Sequence, residues 1–327
     1  VNYAVIGTGA LGGFYGARLQ RAGCDVHFLL HSDYDHVRQH GLVVESKDGD
    51  FTLPVVNAHR HACDLPPCDC VLVCLKATQN HLLPALLPPT GTVVLMQNGL
   101  GAEEELARHV AGNRIMAGLA FLCSNKVGPG QIHHLDYGYV RFAELTGGVT
   151  ERMKQIAADF ERAGIPVTLA DDLVSARWHK LVWNIPYNGL SVVLNANTDE
   201  LMSNPTTRAL VEALMREVVA GAAACGHSIE ESFVQKMLAD TAQMKPYRTS
   251  MKIDFDEGRP MEVEAIYGNP LRAAQAAGAV VARLETLYRQ LKVWDGRRAE
   301  PARLTGAGLP TAAARILSEA GKGATNG

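Results

Sequence analysis

No apolar run in this chain of 327 residues approaches the roughly 20 that a membrane-spanning helix needs, so no membrane partner is expected. Excess charge of either sign is missing as well. Lys and Arg total 31 against 34 Asp and Glu, for a formal net charge of -3, which argues against a nucleic acid or an anionic membrane as the main partner. No basic stretch followed by a long apolar segment opens the chain, and no signal peptide is expected. Aromatics are sparse at 6%, but hydrophobic residues make up 47% and charged ones 20%. That balance belongs to a soluble globular protein rather than a disordered or fibrous one. The length makes two domains the natural expectation.

The paired C-x-x-C spacing of a structural zinc site is absent too. Seven cysteines occur, an odd number: Cys24, Cys63, Cys68, Cys70, Cys74, Cys123 and Cys225. Without a secretion signal they are expected as reduced thiols in the cytoplasm. The segment 63–74, with His59 and His61 upstream, invites a metal reading. Cys70 and Cys74, however, bracket an apolar strand whose rise would hold their Cα atoms about 13 Å apart. That is too far to share an ion, so no metal is expected.

What the chain does have starts at its first residues. Tyr3-Ala4-Val5-Ile6 is a β-branched apolar run, followed at once by Gly7-Thr8-Gly9-Ala10-Leu11-Gly12. Helical spacing (Leu11, Tyr15, Leu19) leads to Gly23 at a helix end, and a second strand covers 25–30. A lone G-x-G-x-x-G is weak, but here it sits in the βαβ context that dinucleotide binding requires. Gly7 permits the tight turn, Gly9 the approach of a pyrophosphate, and Gly12 close packing of helix on strand. The helix N-terminus offers free N–H groups to the anion. A glycine-rich turn with no ligand is the competing reading.

Strands alternate with helical stretches through the first half. Segments 42–45 and 51–53 read as a hairpin about the turn 47–50. The continuous apolar runs 70–75 and 92–96 read as strands buried on both faces of a parallel sheet. A strand is expected at 114–118, antiparallel strands within 130–143 after the turn 128–130, and a short strand at 166–169. Thr150 should cap a helix that stops at Gly164. Beyond Asp171-Asp172 the pattern is helix after helix: 174–196, one with Asn204 as N-cap and Pro205 first, 230–244 and 269–291. The expected architecture is α/β, a Rossmann-type doubly wound sheet over 1–170 followed by an all-helical domain over 171–295. The remainder, 296–327, reads as a loosely held tail with one short helix at 311–319.

In an open α/β sheet ligands sit outside the carboxyl ends of the strands, which directs attention to the loops 7–12, 76–79 and 97–99. Lys76 follows a buried strand and can lean over that cleft, and Asn98 offers amide donors and an acceptor. Lys180, Asn184 and Asn188 recur at i, i+4 and i+8, one face of the first long helix. Trp178, Leu181, Val182 and Ile185 make its other faces apolar. Spacing alone leaves open whether this row meets a substrate or forms a surface stripe about Pro186. The cluster 249–254, with Glu262 and Glu264, is uninformative by itself.

Taken together and in order, these motifs resemble the ketopantoate reductase (2-dehydropantoate 2-reductase) family. The glycine fingerprint, Leu75-Lys76, Gln97-Asn98-Gly99, Trp178-His179-Lys180-Leu181 with Asn184 and Asn188, Ser250-Met251 with Asp254, and Glu262 carry the resemblance across residues 1–295. It implies NADPH as cofactor and reduction of a 2-keto acid to a 2-hydroxy acid in pantothenate synthesis. By position, Lys180 matches the catalytic lysine and proton donor, with Glu262 its acidic partner. Asn184, Asn188, Ser250 and Asn98 match substrate positions. Gly7, Thr8, Gly9, Ala10, Leu11, Gly12, His31, Lys76 and Asn98 fall on the cofactor side. Two positions depart from the pattern. His31 stands where an arginine grips the 2′-phosphate, implying a smaller preference for NADPH, with Lys76 and Arg38 as substitute charges. Thr198 replaces a further asparagine.

A related two-domain dehydrogenase for another 2-keto or a 3-hydroxy acid shares much of this pattern, and the motif order after Lys180 separates the two. A non-catalytic NADP-sensing regulator would have no reason to keep Lys180, Ser250 and Glu262 together. The apolar helical domain is compatible with a homodimer.

Overall fold

The computed structural model describes residues 1–299. Its first part runs β1 (Tyr3–Ile6), α1 (Ala10–Arg21), β2 (Val26–Leu29), α2 (Tyr34–His40), β3 (Leu42–Ser46), β4 (Phe51–Leu53) and β5 (Asn57–His59). Then come β6 (Cys70–Val73), α3 (Leu83–Leu86), β7 (Thr92–Leu95), α4 (Ala102–Leu106), β8 (Ile115–Gly128), β9 (Gln131–Glu144), α5 (Glu151–Arg162) and β10 (Val167–Ala170). They form one ten-stranded sheet in the order β4-β3-β9-β8-β7-β6-β1-β2-β5, with β10 on β9. The β8-β7-β6-β1-β2-β5 run is parallel throughout.

Two-residue periodicity explains why continuous apolar runs make this centre. All four residues of β1 are buried, yet Tyr3 and Val5 enter the core on one face and Ala4 and Ile6 the core on the other. Cys70 and Leu72 divide from Val71 and Val73 in β6 in the same way. Helices on both faces cover such a sheet, which is the Rossmann-type arrangement the alternation implied.

The outer strands depart from expectation. The strand expected at 114–118 continues to Gly128, and 131–144 is a single strand antiparallel to it, each of the pair 14 residues long. Gly130, at φ +65°, makes the connecting turn. The outer ends of this hairpin reach the start of α1, where Ser124 Oγ donates to the Ala10 carbonyl at 3.5 Å. β5 was not anticipated; it pairs parallel to β2 as an edge strand.

The second part is helical: α6 (Leu173–Val193), α7 (Thr198–Ser203), α8 (Pro205–Ala224), α9 (Glu231–Gln243), α10 (Ser250–Asp256), a π-helical turn at Glu264–Gly268, α11 (Asn269–Ala276) and α12 (Ala282–Ala299). Caps account for several boundaries. Asp172 accepts from Ser175 N at the start of α6, Asn204 from Thr206 N at the start of α8, and Thr150 from Met153 N at the start of α5. Trp178, Leu181, Val182 and Ile185 bury α6 in the core of this region, and the helix continues through Pro186. Segment 249–254, uninformative in sequence, leads into α10, with Thr249 Oγ1 accepting from Lys252 N at 3.3 Å. The single helix expected at 269–291 is two, because Gly278 turns left-handed at φ +84° between α11 and α12. α12 passes the expected end of the helical region at 295. The rest of the expected tail, including the helix at 311–319, lies outside the described residues.

Among the described residues, no helix is long and apolar enough to cross a membrane. No group of three or more His, Cys, Asp or Glu could hold a metal ion there.

Candidate active site

The glycine loop is built as its spacing requires. Gly7 has φ +96°, and a Cβ on it would stand 2.7 Å from Leu75 N. A Cβ on Gly12 would meet the Gly7 carbonyl oxygen at 2.3 Å. A Cβ on Gly9 would meet nothing within 4 Å, so the loop is tight beneath and open above. No side chain caps the N-terminus of α1, leaving its N–H groups directed at that open side. Thr8 lies under the loop, its Oγ1 donating to the Leu29 carbonyl at 3.3 Å.

One cavity of about 310 Å³ opens above the loop, between the carboxyl ends of the strands and the helical region. Gly9, Ala10 and Leu11 form its floor, Lys76 and Asn98 stand on the loops after β6 and β7, and Lys180, Asn184 and Asn188 come from α6. Ser250 at the start of α10 and Glu262 before the π-helical turn also line it. Gly7, Thr8, Gly12 and His31 do not. The glycines shape the loop from beneath, and His31 is exposed beyond the end of β2. Thr198 is buried elsewhere, pairing its backbone and side chain with the backbone of Tyr247.

Lys180 is only 6% exposed. Its Nζ donates to the Ala120 carbonyl at 2.6 Å and lies 5.2 Å from the centroid of the Phe121 ring. Its ammonium is lowered from 10.5 to about 7, chiefly by burial and next by the Arg177 guanidinium, with Glu262 opposing both. Asn184 and Asn188 are buried, and Asn184 Nδ2 and Asn188 Oδ1 have no hydrogen-bond partner. A buried donor and a buried acceptor left unpaired in a cavity wall are costly unless something else meets them. The row on α6 is therefore a cavity face and not a surface stripe.

Glu262 accepts from Ala77 N at 2.8 Å through Oε1. Burial pushes its carboxyl up, against the pull of the Ala77 N–H, Lys76 and Lys180. Lys76 reaches across the cavity to Asp254 of α10, with which it forms an ion pair; Asp254 also accepts from Arg259 Nε at 2.9 Å. The sheet loops and the helical region thus meet through polar contacts at Glu262 and at Asp254.

Sequence reasoning passed over a buried ion pair. Arg177, one turn before Lys180, is 1% exposed and pairs with the fully buried Glu103 of α4. The same guanidinium donates to the Gln97 carbonyl at 2.5 Å, beside Asn98. It joins the helix carrying Lys180 to the loop carrying Asn98, a contact between residues 80 positions apart. Arg60 was also missed. It follows β5, adjacent to the end of β2 because Leu30 N donates to the His59 carbonyl at 2.9 Å. Its guanidinium lies 4.5 Å from the Tyr34 ring centroid and pairs with Asp35 at 2.6 Å.

Residues 3–147 match the family model described as ketopantoate reductase PanE/ApbA, and residues 172–295 match the model for its C-terminal part. A 2-dehydropantoate 2-reductase from Nostoc sp. is 61% identical over 305 residues, covering 90% of this chain and 96% of that one. The solved 2-dehydropantoate 2-reductase of Geobacter metallireducens superposes with a TM-score of 0.87 at 42% identity, covering 90% of this chain and 99% of that one. That of Methylococcus capsulatus gives 0.84 at 38%, covering 94% and 100%.

Proposed function

The chain belongs to the ketopantoate reductase family, and on that premise we propose that it reduces 2-dehydropantoate (ketopantoate) to (R)-pantoate with NADPH, in pantothenate and coenzyme A biosynthesis. The observation that carries this reading is the buried Lys180 beside the unpaired amide atoms of Asn184 and Asn188 in one cavity. In this reading residues 1–170 are the dinucleotide-binding domain and 171–295 the substrate domain. Cytoplasmic residence and a homodimer through the helical region belong to the same reading.

The residues present fit a dinucleotide. A pyrophosphate needs backbone approach without a Cβ and free N–H groups, and the open face of Gly9 beside the uncapped start of α1 has both. Gly7 to Gly12 would hold the pyrophosphate, Asn98 and Lys76 the nicotinamide side, and His31 with Arg60 the adenosine end. When bound, the reduced dinucleotide supplies the hydride.

The remaining work falls to side chains. Lys180 holds its ammonium against the ketone oxygen, stabilises the negative charge that develops there and delivers the proton. The Ala120 carbonyl orients Nζ. A group near neutrality in proton affinity suits this task better than an ordinary lysine. Ser250 donates to the substrate carboxylate, which an ionised glutamate would repel. Glu262 takes the substrate's far hydroxyl, or steadies Lys180. Asn184 and Asn188 satisfy their open atoms on the bound acid.

The test is oxidation of NADPH and NADH by the purified chain against a panel of 2-keto acids. Turnover of ketopantoate with a preference for NADPH is expected. Dinucleotide binding with no turnover on any keto acid would return the regulator reading. Equal or better efficiency with NADH would overturn the cofactor assignment.

A further inference from the structure

The chemistry above uses only part of the cavity wall. The hairpin of β8 and β9 supplies another part, and it is aromatic. Phe121, beneath Lys180 Nζ, stacks on Tyr139 with centroids 4.5 Å apart and planes 12° from parallel. Tyr137 continues the series edge-on to Tyr139 at 6.2 Å and stands 37% exposed. Tyr137 holds φ +57°, a left-handed conformation in which tyrosine is rare. It does so where the β8–β9 register slips between Phe121↔Tyr139 and Leu122↔Tyr137. A bulge that re-aims a side chain beside a site, at a cost in backbone strain, points to use of that side chain. From α6, Trp183 faces the same space. Its Nε1 is already committed to Thr241 Oγ1 at 2.9 Å, so it offers the cavity carbon surface.

We propose that these rings form a substituent pocket, and that the site also takes 2-keto acids bearing a bulky apolar group, aryl groups included. The inference rests on the 2-keto acid reading above. With the ketone oxygen at Lys180 and the carboxylate at Ser250, the third group on the carbonyl carbon is left to the aromatic side of the same cavity, lined by Phe121, Tyr139, Tyr137 and Trp183. From Phe121 the rings extend outward to the rim at Tyr137. A flat apolar substituent gains offset stacking along this path, and each well-seated apolar group in such a pocket changes discrimination by roughly tenfold or more. The reaction is unchanged. The ketone carbon gains the hydride that the reduced dinucleotide gives up, becoming oxidised in turn, and the oxygen gains the Lys180 proton, which solvent restores.

The experiment is calorimetric binding of pyruvate, ketopantoate, 4-methyl-2-oxopentanoate and phenylpyruvate to the full chain saturated with NADP⁺, with turnover of each measured in parallel. Phenylpyruvate and 4-methyl-2-oxopentanoate should bind at least about tenfold more tightly than pyruvate, and both should be reduced. Tyr139→Ala should weaken phenylpyruvate roughly tenfold more than it weakens ketopantoate, and Tyr137→Ser should do the same more mildly. If ketopantoate is bound and reduced while the bulky acids bind no better than pyruvate, this inference falls and the proposed function stands. Equal weakening of all acids by Tyr139→Ala would also overturn it. If no 2-keto acid binds at all, the proposed function falls with it.

Discussion

The pH dependence of catalysis is the sharpest consequence of burying Lys180. Taking the ammonium from an ordinary 10.5 to about 7 corresponds to about 5 kcal/mol of differential cost between its charged and neutral forms. Loss of water around Nζ is the main cause, Arg177 adds to it and Glu262 opposes it. If Lys180 is the proton donor, only its charged form is competent, so kcat/KM for keto-acid reduction should fall about tenfold per pH unit above about pH 7. An unshifted lysine would leave the profile flat to near its ordinary value. The neighbours make the argument directional. Glu262→Gln removes the charge that favours the ammonium and should move the falling limb to lower pH. Replacing the buried pair by apolar residues, Arg177→Met with Glu103→Leu, removes a repelling cation and should move it to higher pH. The assay is dinucleotide oxidation at saturating NADPH from about pH 5.5 to about pH 9.5, with kcat/KM plotted for each variant. A wild-type profile flat through pH 9, or a limb that moves the same way in both variants, would refute the reasoning.

The same burial should cost stability. Between about pH 7 and 10.5 the unfolded chain keeps a proton on Lys180 that the folded chain has lost, so stability rises with pH through that window and the penalty is complete below it. Lys180→Met should therefore stabilise the fold by on the order of a few kcal/mol near pH 7 and much less near pH 10; denaturant melts showing destabilisation at both would contradict this. At the adenosine end, Arg60→Ala should raise KM for NADPH and leave KM for NADH nearly unchanged, and an equal effect on both cofactors would remove Arg60 from phosphate recognition. Ser250→Ala should mainly raise KM for every keto acid. Glu262→Ala should cost most with ketopantoate and less with an acid lacking its hydroxyl; equal losses would place Glu262 beside Lys180 as its partner, and no loss would remove it from the site.

Local chemistry made much of the fold readable. The β1–glycine loop–α1 unit is specified within twenty residues, by steric rules that act on Gly7 and Gly12 directly. Asn204 and Pro205 announce the start of α8 in the same local way. What stayed hidden depends on partners far along the chain. β5 has only three residues, and its pairing with β2 gives them their strand conformation. The length of β8 and β9 comes from pairing each other, since alternation beyond Gly118 is interrupted by register slips. The helical pattern of 269–291 conceals the break because Gly278 acts through one backbone angle. The same holds in the site. Helical spacing put Lys180, Asn184 and Asn188 on one face but could not say what that face meets. Arg177–Glu103 and Lys76–Asp254 are ion pairs that no spacing rule encodes, separated by 74 and 178 positions. Lys76 was expected to lean over the cleft, and it lines the cavity while paired with Asp254 of α10.

Wild-type protein and Lys180→Ala, compared on ketopantoate and NADPH near pH 7, test the role of Lys180 most directly. Wild type should convert them to (R)-pantoate, one NADPH consumed per product formed, with the product identified by chiral chromatography. Lys180→Ala should bind NADPH with near-normal affinity while kcat falls by roughly 10²- to 10⁴-fold. Near-normal kcat in the variant would contradict the claim that this buried lysine carries the chemistry.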